Sequence, residues 1–300
     1  MHKPAYFEIL RPQQWYKNLL IFLPIIFSQQ IFDFEIFSKN IYGFLILCMV
    51  FGGTYIINDI LDLKKDIVHK EKCKRPLSSG RITKNQAITY AILLLISAEV
   101  LAFFLDSSFF VVTTLMIILT VSYSFYFKNI FLVDIFFISI NYVLRAVSGI
   151  FLIETSNGAM LSPWLIIGVF FVALLLSFGK RKSEIIFLED SALKHRKVLK
   201  DYTNEFLNFS IGITAATILV SYSIYSMTGP PQINDWRLVL TIPVFFFILI
   251  LYVNLMLKGE YKGKEFNYLL RKEKKLLGSL IVYLTMVFVL IYAIPGNYFN

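Results

Sequence analysis

Nine apolar runs follow one another along the chain, at residues 18–34, 40–61, 84–105, 108–127, 130–153, 161–179, 205–228, 236–257 and 276–294. Each is close to the ~20 residues a helix needs to cross the hydrocarbon core of a bilayer. In hydrocarbon every backbone N–H and C=O must find its partner within the protein, which leaves helices and closed barrels. Runs this long and this continuously apolar predict helices. The expected fold is therefore all-α: an integral membrane bundle of nine transmembrane helices in a single domain, 1–300, with the spans over 18–294. Only 16% of the residues are charged, against about 25% in soluble domains. Mean hydropathy is +0.67. Residues 1–17 read as a segment lying at the interface, with Arg11, Trp15 and Lys17 at headgroup depth. The first apolar run follows Lys17 with no small-residue cleavage site behind it, so it reads as a retained span.

The basic residues test this count. Alternate loops carry Lys and Arg at 3 (N-terminus), 8 (62–84), 1 (Lys128), 7 (180–204) and 7 (258–275) of the 29 in the chain. Opposite them stand only Lys39 and Arg237, and Arg145 lies inside the fifth span. Cytoplasmic loops carry the positive excess. The reading is a multi-pass protein of the cell (inner) membrane, N-terminus cytoplasmic and C-terminus outside. A miscounted span would invert the later loops and destroy the asymmetry. No nucleic acid is expected as a partner of a charge laid out this way, and a homo-oligomer is compatible with it.

At the cytoplasmic end of the second run stands Asn58-Asp59-x-x-Asp62-x-x-x-Asp66. The spacing i, i+3, i+7 puts three carboxylates on one helix face over about two turns. Three like charges on a stripe repel, so something positive must offset them. Mg²⁺ takes a few carboxylates and keeps its other positions for water and phosphate. The alternative is a solvated helix end whose acids pair with Lys64, Lys65 and Lys70. Lys72, Lys74 and Arg75 come directly behind the acids. An acid–metal–base order of this kind is what a diphosphate needs.

Three further groups carry charge. Tyr123, Tyr126, Lys128, Asp134, Asn141 and Arg145 surround the turn into the fifth span and its interior. Ionisable groups within a bilayer mark a functional cavity by default; the alternative is a structural pair, Asp134 with Arg145 or with a neighbouring helix. Lys180-Arg181-Lys182-Ser183-Glu184 closes the sixth span, followed by Glu189, Asp190, Arg196 and Tyr202. That run also reads as an ordinary topogenic signal, with Glu184 pairing to Lys180. Glu260 to Lys275 reads as a solvated mixed-charge loop. Cys48 and Cys73 make no disulfide framework, and His69 with Cys73 makes a poor zinc site.

Arg11-Pro12-x-x-Trp15-x-Lys17-Asn18, Asn58-Asp59-x-x-Asp62-x-x-x-Asp66, Lys74-Arg75-Pro76-Leu77-x-x-Gly80 and Tyr126-x-Lys128 together resemble the UbiA superfamily of intramembrane prenyltransferases. The resemblance covers most of the chain. It implies a nine-helix bundle around an aspartate-lined, Mg²⁺-dependent cavity open to the cytoplasm. Arg11 to Asn18, Leu144-Arg145-Ala146, Gly179-Lys180-Arg181-x-x-Glu184 and Arg196-x-Val198-Leu199-x-x-Tyr202 are most similar to the decaprenyl-phosphate phosphoribosyltransferase branch. Members that use prenyl diphosphates carry a second aspartate-rich motif after the sixth span. Here that place is basic, with one acid.

The resemblance implies transfer of 5-phosphoribose from phosphoribosyl diphosphate to a polyprenyl phosphate. Asp59, Asp62 and Asp66 would be the metal ligands, with Asp59, Asp62 and Lys128 catalytic. Lys17, Asn58, Asp66, Lys72, Lys74, Arg75, Tyr126, Asp134, Arg145, Lys180, Arg181 and Glu184 would bind substrate. Two other readings are a prenyl-diphosphate:aromatic acceptor transferase of the same fold, and a transporter. The transporter is disfavoured because the chain shows no internal repeat and its acids cluster at one end of a span.

Overall fold

The computed structural model describes residues 4–69, 71–153, 162–188, 197–228, 236–258 and 266–293. Lys70, Glu189, Asp190, Arg196 and Glu260 lie outside them. Every regular element among the described residues is a helix, and eight stretches are long and apolar enough to cross a membrane. The chain divides into two compact units.

The first unit comprises Met1–Ile26, Gln30–Ile130 and Leu144–Glu154. It begins with α1 (Ala5–Glu8), then a 3₁₀ stretch Pro12–Phe22 that continues into α2 (Leu23–Phe27). The sequence predicts an ordinary span at 18–34; the structure has this tighter winding instead. Pro12 and Pro24 each remove a backbone donor, and 3₁₀ geometry rises ~2.0 Å per residue. The sixteen residues from Pro12 to Phe27 thus reach roughly 30 Å, about the thickness of the hydrocarbon core.

Helix α3 (Phe34–Ile67) has 34 residues. Asp33 caps it, accepting from the Ile36 amide at 3.0 Å. Its length is ~51 Å, about 20 Å more than the hydrocarbon core. Its uninterrupted apolar stretch ends at Ile57, so part of the surplus falls on the turns bearing Asp59, Asp62 and Asp66. Helix α4 (Lys84–Leu105) begins with a capping box: the Thr83 hydroxyl accepts from the Gln86 amide, and the Gln86 side chain accepts from the Thr83 amide. Such a cap contributes about 1 kcal/mol. Thr83→Ala should lower the melting temperature slightly and leave transfer activity unchanged, read by thermal denaturation in detergent beside a turnover assay.

Helix α4 lies along α3 through small residues. Ala87, Ala91, Ala98 and Ala102 are buried, and Leu95 covers Gly53 so closely that a Cβ there would strike it. Between helices in lipid, association depends on this kind of close packing. Asp106 ends α4 and caps α5 (Ser107–Phe125), accepting from the Phe109 amide at 2.8 Å.

Helix α6 (Val133–Ser148) gives its first part to the second unit and its end, from Leu144, to the first. A 3₁₀ turn, Gly149–Leu152, follows. Gly149 lies directly against the Ile21 carbonyl, where no side chain fits. One turn before it, this contact holds Arg145 against the Pro12–Phe22 stretch.

The second unit comprises Phe27–Gln29, Phe131–Val143 and Thr155–Asn300. Its long helices are α7 (Pro163–Leu188), α8 (Asn204–Thr228), α9 (Ile242–Leu257) and, after the short α10 (Phe266–Lys272), α11 (Lys274–Phe288). Leu174, Leu175 and Phe178 of α7 pack with Leu207, Ile211 and Ile218 of α8 and with Leu255 and Met256 of α9.

Candidate active site

The three aspartates of α3 each meet a cation from elsewhere in the first unit. Asp59 accepts from Arg11 and from Arg75 at 2.9 Å. Asp66 accepts from the same Arg75 nitrogen, Nη1, at 2.5 Å, and Lys72 stands 3.8 Å away. Asp62 accepts from Lys128 at 2.8 Å. Asp59 and Asp66 are almost completely buried, their side chains 3% and 2% exposed. The helix period explains the split. Seven residues are about 20° short of two full turns, so Asp66 stacks over Asp59, whereas Asp62 stands about 60° round the axis. Lys64 and Lys65 are exposed, and the acids take their partners from other segments.

Arg11 and Arg75 arrive from opposite sides in sequence. Arg11 has left-handed backbone angles, φ 52° and ψ 59°. The following Pro12 disfavours the right-handed helical region for this residue, and a non-glycine residue here carries strain of order 1 kcal/mol. The strained turn directs its guanidinium past the Tyr55 ring, 5.0 Å from the centroid, to Asp59. Arg75 ends a short 3₁₀ turn, Lys72–Lys74. Glu8, Arg11, Gln14, Asp59 and Arg75 line a cavity of about 100 Å³. Asn58 is half-buried beside Asp59, Lys74 and Tyr126 are exposed, and Lys17 donates to Gln14 at 3.2 Å.

Also in the first unit, Arg145 is buried. Its Nε donates to Asn18 at 3.0 Å, and its guanidinium lies 3.5 Å over the Phe51 ring.

In the second unit Arg181, 1% exposed, donates through Nε to Asp134 at 3.0 Å and through Nη1 to Glu184 at 2.7 Å. The Tyr202 hydroxyl donates to the other Asp134 oxygen at 2.7 Å and accepts from the Leu132 amide at 3.1 Å. Burial, joined by the Asp134 carboxylate, pushes the Tyr202 phenol well above its ordinary value. Asp134 thus pairs with a neighbouring helix, and Glu184 takes its partner three residues before it. Lys180 is half-buried in the same turn of α7.

The sequence reading did not place Arg11, Asn18 or Tyr202 among the site residues. The signal for Arg11 was local: a basic residue fixed ahead of proline at the start of the first apolar stretch. Asn18 and Tyr202 stand in motifs that carry the resemblance, but nothing local gives their partners, which lie 127 and 68 positions away.

Two carboxylates bridged by one cationic nitrogen suit a hard divalent cation, and the Arg75 Nη1 lodged between Asp59 and Asp66 marks where positive charge is wanted. Asp62, expected as a third ligand, is engaged by Lys128, and among the described residues no three His, Cys, Asp or Glu side chains come together as a metal group. The chemistry of these carboxylates suits Mg²⁺, which Asp59 and Asp66 would hold.

Residues 26–272 match the UbiA prenyltransferase family. The chain is 28% identical to decaprenyl-phosphate phosphoribosyltransferase of Mycolicibacterium smegmatis, over 81% of this chain and 79% of that protein. It is 27% identical to the Mycobacterium tuberculosis protein of the same name, over 88% and 87%. A UbiA homologue from Archaeoglobus fulgidus, solved bound to GPP and Mg²⁺, superposes with a TM-score of 0.72 at 19% identity, covering 96% of this chain and 99% of that one. The aspartate-bearing helix, the apolar helices around it and the match over most of the length agree: this chain is an integral membrane member of the UbiA prenyltransferase family.

Proposed function

We propose that the protein moves 5-phosphoribose from phosphoribosyl diphosphate to a polyprenyl phosphate and releases diphosphate, at a site on the cytoplasmic side of the membrane. The observation that carries this is the lattice of buried aspartates and arginines at the end of α3, where Arg11, Arg75, Lys72 and Lys128 meet Asp59, Asp66 and Asp62. The relatives named decaprenyl-phosphate phosphoribosyltransferase support the choice of donor and acceptor. The basic turn Lys180–Lys182 supports it too, standing where a prenyl-diphosphate enzyme would place acids. The excess of Lys and Arg in alternate loops supports a cytoplasmic N-terminus.

In the reaction a phosphate oxygen of the lipid bonds to the anomeric carbon of the ribose, and the bond from that carbon to the diphosphate breaks, its electron pair leaving with the diphosphate. The nucleophile is already an anion, so no strong base is needed. The main requirement is stabilisation of the charge that builds on the leaving group. Mg²⁺ on Asp59 and Asp66 would supply part of that positive charge. Arg75 and Arg11, set beside these carboxylates, offset phosphate charge, and Lys72 and Lys74 neutralise what remains. Asn58 orients the donor beside Asp59. Lys128, held by Asp62, presents a charge from the opposite segment, with Tyr126 and Lys17 at the margins of the site. Arg145 fixes the Pro12–Phe22 stretch through Asn18. In the second unit, Asp134, Arg181 and Glu184 hold the turn that carries Lys180.

The test uses purified protein in detergent, Mg²⁺, labelled phosphoribosyl diphosphate and a polyprenyl phosphate. Label should pass into the organic phase, and EDTA should stop it. Consumption of a prenyl diphosphate with an aromatic acid, and no phosphoribosyl transfer, would replace this reading with prenyl transfer on the same fold.

A further inference from the structure

Arg81 touches none of the aspartates, yet it holds both segments that deliver an arginine to Asp59. Its two terminal nitrogens donate to the two oxygens of Glu8, at 2.7 and 2.9 Å. Nη2 also donates to the Lys74 carbonyl at 2.8 Å, and Nε donates to the Ser79 hydroxyl at 3.1 Å. Glu8 closes α1, and its carbonyl accepts from the Arg11 amide at 3.0 Å. Lys74 immediately precedes Arg75. One planar guanidinium therefore ties the turn carrying Arg11 to the turn carrying Arg75.

The chain is shaped for this. Gly80 has φ +75°, a left-handed conformation that glycine adopts at little cost, and it turns Arg81 back toward Lys74. Beneath the fork, Ile9 and Ile82, the neighbours of Glu8 and Arg81, are buried in one cluster with Leu77. The fork itself is 36–38% exposed. An ion pair that open contributes little to stability. Its consequence lies in where it puts Arg11 and Arg75. Lysine cannot reproduce it, since only the guanidinium fork reaches two carboxylate oxygens and a carbonyl together.

We propose that Arg81 is a positioning residue, setting Arg11 and Arg75 against Asp59 and so fixing the affinity of this site for a diphosphate group. The inference rests on the diphosphate site proposed above and is independent of which donor carries the diphosphate.

The probe is inorganic diphosphate with Mg²⁺, titrated calorimetrically into wild type, Arg81→Ala, Arg81→Lys and the exchanged pair Glu8→Arg/Arg81→Glu, with a melting temperature for each. A misplacement of about 1 Å can cost about a hundredfold in a preorganised site, and a partial loosening of the two turns should cost about tenfold. Arg81→Ala should weaken diphosphate about tenfold with its melting temperature nearly unchanged. Arg81→Lys should fall between, and the exchanged pair should recover part of the loss because the Glu8 arm re-forms. Affinity within about twofold of wild type in Arg81→Ala, a melting temperature that falls in step with affinity, or an exchanged pair no better than Arg81→Ala would each overturn the inference. Wild type that binds diphosphate with this pattern but turns over no phosphoribosyl diphosphate would remove the proposed function and leave the role of Arg81 standing. Wild type that binds no diphosphate would remove both.

Discussion

Asp59→Asn should cut turnover about a hundred- to a thousandfold while the protein still folds, the scale on which removing one group from a preorganised electrostatic site acts. The argument starts from burial. The Asp59 side chain is 3% exposed and accepts from two guanidinium groups. Asparagine keeps the shape and one acceptor oxygen but removes the negative charge. Arg11 and Arg75 are then two cations with one fewer counter-charge, and a metal loses one of its two carboxylates. Folding should survive because Arg11 and Arg75 are 14% and 27% exposed and can be hydrated, and because Arg75 keeps Asp66. The measurement is initial rate in the label-transfer assay beside a melting curve and gel filtration in detergent. Wild-type-like turnover in Asp59→Asn would remove both the metal assignment and the diphosphate site. Asp62→Asn is the informative companion. Among the described residues Asp62 pairs with Lys128, away from the Arg75 bridge, so it should lose less, and a loss as deep as that of Asp59→Asn would return Asp62 to the metal.

The spans were legible because hydrocarbon leaves the backbone so few options. The run at 84–105 coincides with α4 because Thr83 and Asp106 mark its ends chemically. The first run was misjudged in kind. Hydropathy registers apolar length but not whether the backbone winds as α or 3₁₀, and the winding changed the reach. The aspartate motif was legible from spacing alone. Its partners were not, because Arg11 and Lys128 stand 48 and 66 positions from the acids they meet, and no local pattern encodes a contact made by folding. The same limit explains Asp134. Seven residues before Asn141 and eleven before Arg145, it reads as part of a one-helix constellation, yet it pairs with α7 and Tyr202. Spacing ranks neighbours on one helix; it is silent about the helix across the interface.

That second network carries the other large expected effect. Arg181→Leu should destabilise the protein by about 3–5 kcal/mol, the cost of leaving a buried charge without its partner. Asp134 is fully buried and accepts from Arg181 Nε, with Nη2 also 3.0 Å away. Without Arg181 it keeps the Tyr202 hydroxyl but loses the buried guanidinium. Glu184 loses a partner too, but at 19% exposure it can take up water. Asp134→Leu should also destabilise, though less, because the buried guanidinium loses one carboxylate and keeps Glu184. The double variant should cost less than the sum of the two, and less than either single change if the leucines pack, because replacing both members of a buried pair leaves no orphaned charge. This separates two roles for Arg181. If it holds the turn at the end of α7, the single variants lose melting temperature, and the double variant regains stability together with much of its activity. If it grips a substrate phosphate instead, the single variant loses turnover with its melting temperature intact, and the added Asp134→Leu change restores nothing. The geometry favours the first, since Asp134 and Glu184 already occupy three of the guanidinium nitrogens.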